Sequence, residues 1–260
     1  QKAVQKTGEP FIYYAMKSAM SALSHHFVLG EDMPSAYKAS KAYMKNDFRL
    51  SYDMLGEAAC TMKDADRYFT SYKKAIEFLK DKQSAAHLYD APSVSVKLSA
   101  LYPRYEFAKQ GQAIPVLTKR FARLAQLARD ASIALTLDAE EADRLEMSLA
   151  IFKSVYEMPE MEGWPGLGLA VQAYQKRAGE VIDWVVELSS HCKRLIPVRL
   201  VKGAYWDSEI KHAQMLGLSD YPVFTRKVNT DCHYIYCANK MLQASNCIYP
   251  QFATHNVQTV

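Results

Sequence analysis

The sequence predicts an α/β fold, a (βα)8 TIM-like barrel, and two observations carry that prediction. Six short apolar runs recur along the 260 residues, and a helical pattern follows each of the first five. Near-continuous apolar strands that alternate with amphipathic helices are typical of a parallel sheet covered by helices. Unbranched repetition of the unit favours a barrel over the two halves of a doubly wound sheet, which stays the alternative fold.

The elements follow from these patterns in chain order. The predicted buried strands are residues 49–55, 93–100, 133–139, 167–173, 196–201 and 247–254. Apolar residues at helical spacing predict helices around residues 65–79, 117–128 and 145–156. Pro10 and Pro115 are each predicted to lie in the first turn of a helix, where a missing N–H costs little. We expect residues 1–46 to form a helical segment packed on the barrel and residues 47–260 to form the barrel.

The length predicts that this barrel is incomplete. The chain ends a few residues past the sixth predicted strand, whereas a closed barrel of this type needs eight strands. We therefore expect the barrel to be truncated after the sixth strand, with two strand and helix units missing and an unpaired sheet edge.

Composition argues against several classes of function. The net charge is +4, and Lys and Arg are interspersed with Asp and Glu, which argues against nucleic-acid binding by this segment. The five cysteines form no CxxC pair, and no signal-peptide pattern or long uncharged apolar stretch is present, which predicts a reducing cytoplasm. The seven histidines fall in no HExxH or comparable pattern, so no metal site is predicted.

Polar residues follow the predicted strands at their carboxyl ends. They are Asp53, Glu57, Lys97, Asp138, Glu140, Gln172, Arg199, Lys202, Thr254 and His255. In a barrel these ends converge, and active sites of this architecture lie there. The fifth strand runs directly into Lys202, Gly203 and two aromatic residues, Tyr205 and Trp206, a combination suited to an anionic, planar cofactor. The alternative for each residue alone is a solvated loop position.

Several motifs extend this interpretation to a known family. SYDMLGEAA, SVKLSALYPRY, LTLDAEEADR, GLAVQAYQKR, VRLVKGAYWDSEIK, YPVFTRK and YPQFATHN resemble, in this order, the proline dehydrogenase domain of the bifunctional proline utilisation A flavoproteins. The resemblance covers nearly the whole chain and implies a distorted (βα)8 barrel that binds FAD noncovalently. It also implies oxidation of L-proline to Δ1-pyrroline-5-carboxylate in proline catabolism.

The resemblance assigns three residues to the substrate. Lys97 would pair with the proline carboxylate, and its structural alternative is a salt bridge. Asp138 would lie near the substrate and position Lys97 by charge pairing, with a helix N-cap as the alternative. Tyr205 would line the pocket with its ring and orient proline through its hydroxyl.

The resemblance assigns the cofactor contacts to other residues. Gln172 would meet the edge of the isoalloxazine ring, and Arg199 would stand beside flavin N5. The backbone of Val201, Lys202, Gly203 and Ala204 would approach the ribityl and phosphate groups. Trp206 would pack on adenine, with ordinary surface packing as the alternative.

Two further motifs complete the implied cofactor site. Thr225, Arg226 and Lys227 would contact phosphate, with an N-cap followed by solvated cations as the alternative. Thr254 and His255 would lie against the flavin and its chain.

The resemblance also implies partners. Reduced flavin would pass electrons to a quinone at the membrane surface, so a cytoplasmic protein would associate peripherally with the inner membrane. An aldehyde dehydrogenase domain would be linked in the parent polypeptide. The paired arginines and tyrosine of the family's substrate clamp would lie beyond this chain, so we expect weak turnover by the chain alone. Two alternatives are a non-catalytic scaffold and an aldolase-like barrel in which Lys97 forms a Schiff base.

Overall fold

A computed structural model describes residues 12–20 and 28–259. The chain divides into two compact units, residues 1–50 and residues 51–260. In the first unit, residues 12–20 are helical and α1 spans Met33–Met44. The carboxylate of Asp32 accepts a hydrogen bond from the backbone N–H of Ser35 at 2.9 Å, which caps α1. The predicted first turn at Pro10 lies outside the described residues.

The second unit contains a six-stranded parallel sheet with the strand order β1-β2-β3-β4-β5-β6. The strands are β1 (Ser51–Asp53), β2 (Ser93–Val96), β3 (Leu135–Leu137), β4 (Leu167–Gln172), β5 (Ile196–Val201) and β6 (Ile248–Phe252). Each strand pairs in parallel with the next one along the chain. The predicted α/β fold is therefore confirmed. The doubly wound alternative is wrong, because that fold reverses its strand order at a central switch point.

Helices connect the strands and cover the sheet. They are α2 (Met62–Lys80), α3 (Gln110–Asp130), α4 (Leu145–Tyr156), α5 (Ala178–Cys192), α6 (Trp206–Met215) and α7 (Lys227–Gln243). One helix follows each of the first four strands, and both α6 and α7 follow β5. Their inner faces bury large side chains such as Tyr72, Phe121 and Phe152. Within the described ranges, no helix is long and apolar enough to cross a membrane.

Contacts between strands that are not neighbours show that the sheet curls as a barrel wall. Arg199 on β5 donates hydrogen bonds to the hydroxyls of Ser51 on β1 and Ser95 on β2, each at 2.8 Å. Tyr89, which precedes β2, stacks on Tyr249 of β6 with ring centroids 4.0 Å apart. A flat sheet would keep β1 and β5 several strand spacings apart. The curvature therefore brings inward residues of β1, β2 and β5 together.

Among the predicted boundaries that differ from the structure, two have a clear physical cause. The predicted strand 93–100 ends at Val96, because Leu98–Ala100 form a buried 3-10 turn whose apolar composition resembles that of a strand. Pro115 does not begin a helix. It lies inside α3, which starts at Gln110 after a 3-10 turn, so the N–H that proline lacks would have bonded the carbonyl of Gly111.

Candidate active site

Four charged side chains meet at the carboxyl ends of the strands. The ammonium of Lys97 donates to Asp53 at 2.8 Å and to Asp138 at 3.2 Å. Arg199 pairs with the second carboxylate oxygen of Asp138 at 3.3 Å. The side chains of Lys97 and Asp138 are each 15% exposed. Two cations and two carboxylates thus form a balanced, largely buried cluster, and Asp138 makes ion pairs instead of a helix cap.

The charge state of Lys97 bears on the Schiff-base alternative. Burial lowers the pKa of Lys97, but the carboxylates of Asp138 and Asp53 outweigh it, so the pKa is raised above its ordinary value. A lysine nucleophile needs a depressed pKa, because only the neutral amine attacks a carbonyl. The cluster therefore argues against the aldolase-like alternative.

A second buried network lies beside the first. Gln172 is 3% exposed, its amide N–H donates to the carbonyl of Glu140 at 2.8 Å, and its amide oxygen accepts from the N–H of Ala204 at 3.2 Å. The Glu140 carboxylate accepts from the N–H of Ser99 at 3.0 Å and pairs with Arg144 at 3.1 Å. Burial raises the pKa of Glu140. This network joins the last residue of β4 to the segments that follow β2, β3 and β5.

A cavity of about 770 Å³ opens at these strand ends. Twelve of the fifteen predicted site residues line it: Lys97, Asp138, Gln172, Arg199, Val201, Lys202, Gly203, Ala204, Tyr205, Lys227, Thr254 and His255. A second cavity of about 440 Å³ is lined by Trp206 and Thr225, and it shares Lys202, Gly203 and Lys227 with the first. Arg226 lines neither cavity.

The lysines that line both cavities share one carboxylate, which the sequence analysis missed. Asp231 on α7 accepts from Lys202 at 2.7 Å and from Lys227 at 2.6 Å. The spacing of Lys227 and Asp231, four residues apart on one helix, was the available signal. The alternative in which Thr225 caps α7 is wrong, because the N-cap residue is Arg226 and it makes no side-chain cap.

The aromatic residues after β5 are fixed by hydrogen bonds. The Tyr205 hydroxyl donates to the Glu57 carboxylate at 3.3 Å, and burial raises the pKa of Tyr205. The indole N–H of Trp206 donates to the carbonyl of Phe224 at 2.9 Å, and the residue is 43% exposed. Gly203 has a φ of 143° and lies against the ring of Tyr174. The absence of a side chain at Gly203 therefore lets its backbone lie close to the ring of Tyr174.

Ser51 and Ser95, which hold the Arg199 guanidinium, were also missed. Ser51 lies two residues before Asp53 on β1, and Ser95 lies two residues before Lys97, which directly follows β2. Alternate residues of a strand share a face, so this spacing was a usable signal. Within residues 12–20 and 28–259, no group of three or more His, Cys, Asp or Glu could hold a metal ion.

Fold and site together define the class of protein: an α/β protein of the barrel type with a candidate site at the carboxyl ends of the strands. Comparison with known proteins is specific. The proline dehydrogenase family model matches residues 36–260, and the chain belongs to that family.

Individual relatives support this membership. Bifunctional protein PutA of Salmonella typhimurium is 48% identical over 259 residues, which cover 100% of this chain and 20% of that protein. A mutant of proline utilization A from Bradyrhizobium japonicum superimposes with a TM-score of 0.86 at 48% identity, covering 98% of this chain and 26% of the other. The Bdellovibrio bacteriovorus protein, inactivated by N-propargylglycine, gives a TM-score of 0.90 at 28% identity, covering 96% and 27%. This chain thus spans about a fifth of the length of the Salmonella protein.

Proposed function

We propose that this chain forms the flavin and substrate site of an enzyme that oxidises L-proline to Δ1-pyrroline-5-carboxylate. The observation that carries the proposal is the cavity in which Lys97, Asp138 and Arg199 converge beside the buried amide of Gln172. Its volume of about 770 Å³ lies within the roughly 300–1,000 Å³ typical of ligand and cofactor sites. Membership of the proline dehydrogenase family supports proline as the substrate.

The donor set fits FAD. Lys202 and Lys227, which line both cavities, would pair with its diphosphate, and Trp206 would offer a ring face to adenine. In the larger cavity, Arg199 and Gln172 would hold the isoalloxazine ring. FAD, when bound, supplies the acceptor for the two electrons that proline loses.

Further positions complete the proposed cofactor contacts. The backbone of Val201, Gly203 and Ala204 would approach the ribityl chain, and Thr254 and His255 would lie against the flavin from β6. Thr225 would contact phosphate from the smaller cavity. Arg226, which lines neither cavity, has the weakest support.

The substrate is held by charge and by shape. The Lys97 ammonium has three protons, and its bonds to Asp53 and Asp138 use two of them. The third would donate to the carboxylate of proline, while Asp138 keeps the lysine charged and oriented. The ring of Tyr205 would pack against the pyrrolidine, so that position and electrostatics lower the barrier.

The proposal extends to the longer protein. The matched Salmonella protein is described as bifunctional, and this chain spans 20% of it. We therefore propose that an aldehyde dehydrogenase domain on the same polypeptide consumes the product. We also propose a quinone at the membrane surface as the electron acceptor of a cytoplasmic protein that associates peripherally with the inner membrane.

The experiment tests whether the chain retains FAD and whether L-proline reduces it. The purified chain is incubated with FAD and desalted, its visible spectrum is recorded, and L-proline is then added without oxygen. We expect the chain to retain flavin and proline to bleach it. Because we expect weak turnover by the chain alone, the bleaching should be slow. No retained flavin would contradict the cofactor, and retained flavin that never bleaches would contradict proline as its reductant.

A pair of variants sharpens this test. Lys97→Met should retain flavin but slow bleaching by about 100-fold, because a buried charge partner of the substrate is lost. Lys176→Met is the matched control, because Lys176 pairs with Asp220 on the surface and lies outside both cavities. Equal slowing in the two variants would contradict a specific role for Lys97.

A further inference from the structure

A buried carboxylate attaches helix α6 to the rest of its unit. Of the ten residues of α6, the buried ones are Glu209 and Ala213. Glu209 is 5% exposed, whereas Asp207 on the same helix is exposed. A carboxylate is almost never so buried unless it is paired or hydrogen-bonded. The position of Glu209 therefore calls for a specific partner.

That partner is a backbone group in the segment that follows β3. The Glu209 carboxylate accepts a hydrogen bond from the N–H of Ala142 at 2.6 Å. Ala142 begins the 3-10 turn Ala142–Arg144, which continues into α4. A carboxylate at a helix start satisfies an otherwise unpaired N–H and favours the helix dipole. The bond thus ties the segment after β5 to the segment after β3.

Both ends of this link lie next to the cavity. The backbone N–H of Glu209 donates to the carbonyl of Tyr205 at 2.9 Å, and Tyr205 lines the cavity. Ala142 lies four residues after Asp138, which also lines the cavity. The carbonyl of Ala142 also accepts from Arg177, which follows β4, at 3.3 Å. One residue of α6 therefore connects two walls of the site.

We propose that Glu209 is a positioning residue whose bond to Ala142 fixes the start of α6 and so sets Tyr205 at its distance from Asp138. The effect of Glu209 on substrate binding rests on the proposed oxidation of proline, whereas the hydrogen bond between Glu209 and Ala142 is independent of that proposal. Burial raises the pKa of Glu209 above its ordinary value, and the opposing effect of the hydrogen bond from Ala142 is smaller. A hydrogen bond to such a buried carboxylate is strong, and its loss leaves the N–H of Ala142 unpaired.

The link is tested first by hydrogen exchange in the full chain. Glu209→Ala should speed exchange in peptides covering residues 139–146 and 203–212 by at least about tenfold, the factor that one charged hydrogen bond supplies. Glu209→Gln should stay within about threefold of the original, because the amide oxygen accepts the same N–H. Asp207→Ala, which removes an exposed carboxylate from the same helix, is the control. Unchanged exchange in Glu209→Ala would overturn the proposal.

A second variant removes the donor instead of the acceptor. Ala142→Pro lacks the N–H, proline is tolerated at a first helical position, and the preceding Glu141 already has the extended ψ of 153° that a following proline requires. It should loosen residues 203–212 as Glu209→Ala does, and it keeps the test decisive if Glu209→Ala does not fold. Unchanged hydrogen exchange in residues 203–212 of Ala142→Pro would contradict the proposed role of this hydrogen bond.

Kinetics separate positioning from simple destabilisation. Glu209→Ala should raise the KM for proline by about tenfold or more, and Glu209→Gln should restore it, since only the hydrogen bond is needed. A merely structural role would reduce the folded fraction and leave KM unchanged, which would overturn the positioning role. If the unaltered chain does not oxidise proline, the proposed function fails, while the exchange data still decide the link.

Discussion

Gly203→Ala is the substitution whose cost can be worked out most directly. Gly203 has a φ of 143°, a conformation that residues with a Cβ rarely adopt. A Cβ built there would lie 2.4 Å from two carbons of the Tyr174 ring and 2.6 Å from a third. Tyr174 is 2% exposed, so its ring could relieve the overlap only by moving toward the cavity of about 440 Å³ that this residue lines.

The cost has two parts. Overpacking a buried site costs about 1–3 kcal/mol, and an unfavourable backbone conformation costs a further 1–3 kcal/mol or so. Added together, the two parts predict a loss of roughly 2–6 kcal/mol in the free energy of unfolding, with about 4 kcal/mol as the middle value. At about 2–4 °C per kcal/mol for a domain of this size, a loss of about 4 kcal/mol should lower the midpoint of thermal unfolding by about 8–16 °C.

The assay is thermal unfolding followed by circular dichroism, with Gly111→Ala as the matched control. A Cβ at Gly111 meets nothing within 4 Å, and the residue lies in α3. Alanine there should raise the free energy of unfolding by up to about 1 kcal/mol, because it favours the helix. A Gly203→Ala variant that melts within about 2 °C of the original chain would show that the ring moves aside and would refute the reasoning.

Two further predictions concern buried titratable groups. Burial raises the pKa of the Cys237 thiol to about 11, so iodoacetamide at pH 8 should modify the exposed Cys60 and spare Cys237; equal labelling by mass spectrometry would contradict this. Burial also raises the pKa of Tyr89 and of Tyr156 to about 12 from the ordinary 10. The folded state therefore holds these phenols neutral, and their contribution to stability is present below pH 10 and lost as the pH rises from 10 through 12. The check is urea unfolding measured across this pH interval. A constant midpoint would contradict the prediction, because it would mean that ionisation of the two phenols does not change the free energy of unfolding.

The fold was predictable because parallel strands buried on both sides are short apolar runs. The run 196–201 matched β5 at both ends, and the other runs overran their strands. The overrun at Leu98–Ala100 has a physical cause: a buried 3-10 turn and a buried strand have the same composition, and only backbone geometry separates them. The alternation of strands and helices is compatible with both an open sheet and a barrel. Contacts across the curved sheet, such as that of Arg199 with Ser51, show that the sheet curls as a barrel wall.

The site was predictable to the extent that it depends on topology. Lys97 and Asp138 directly follow β2 and β3, and Arg199 lies near the carboxyl end of β5 in the same parallel sheet, so their convergence follows from the topology. Glu209 was missed because an acidic residue in a first helical turn usually serves the helix dipole in solvent, and its burial depends on packing across the sheet. Sequence spacing along one chain segment carries no signal for such a contact.

The charge balance of the cluster constrains the substrate further. Asp53, Lys97, Asp138 and Arg199 neutralise one another before any ligand binds. A ligand with a net charge would leave one buried charge without a partner, which is costly, whereas a zwitterion adds one charge of each sign and keeps the balance. A zwitterionic amino acid therefore suits this site better than a simple carboxylate does. Cyclopentanecarboxylate, which has the ring and the carboxylate but no nitrogen, should compete with L-proline only weakly, and equal competition would contradict the argument from charge.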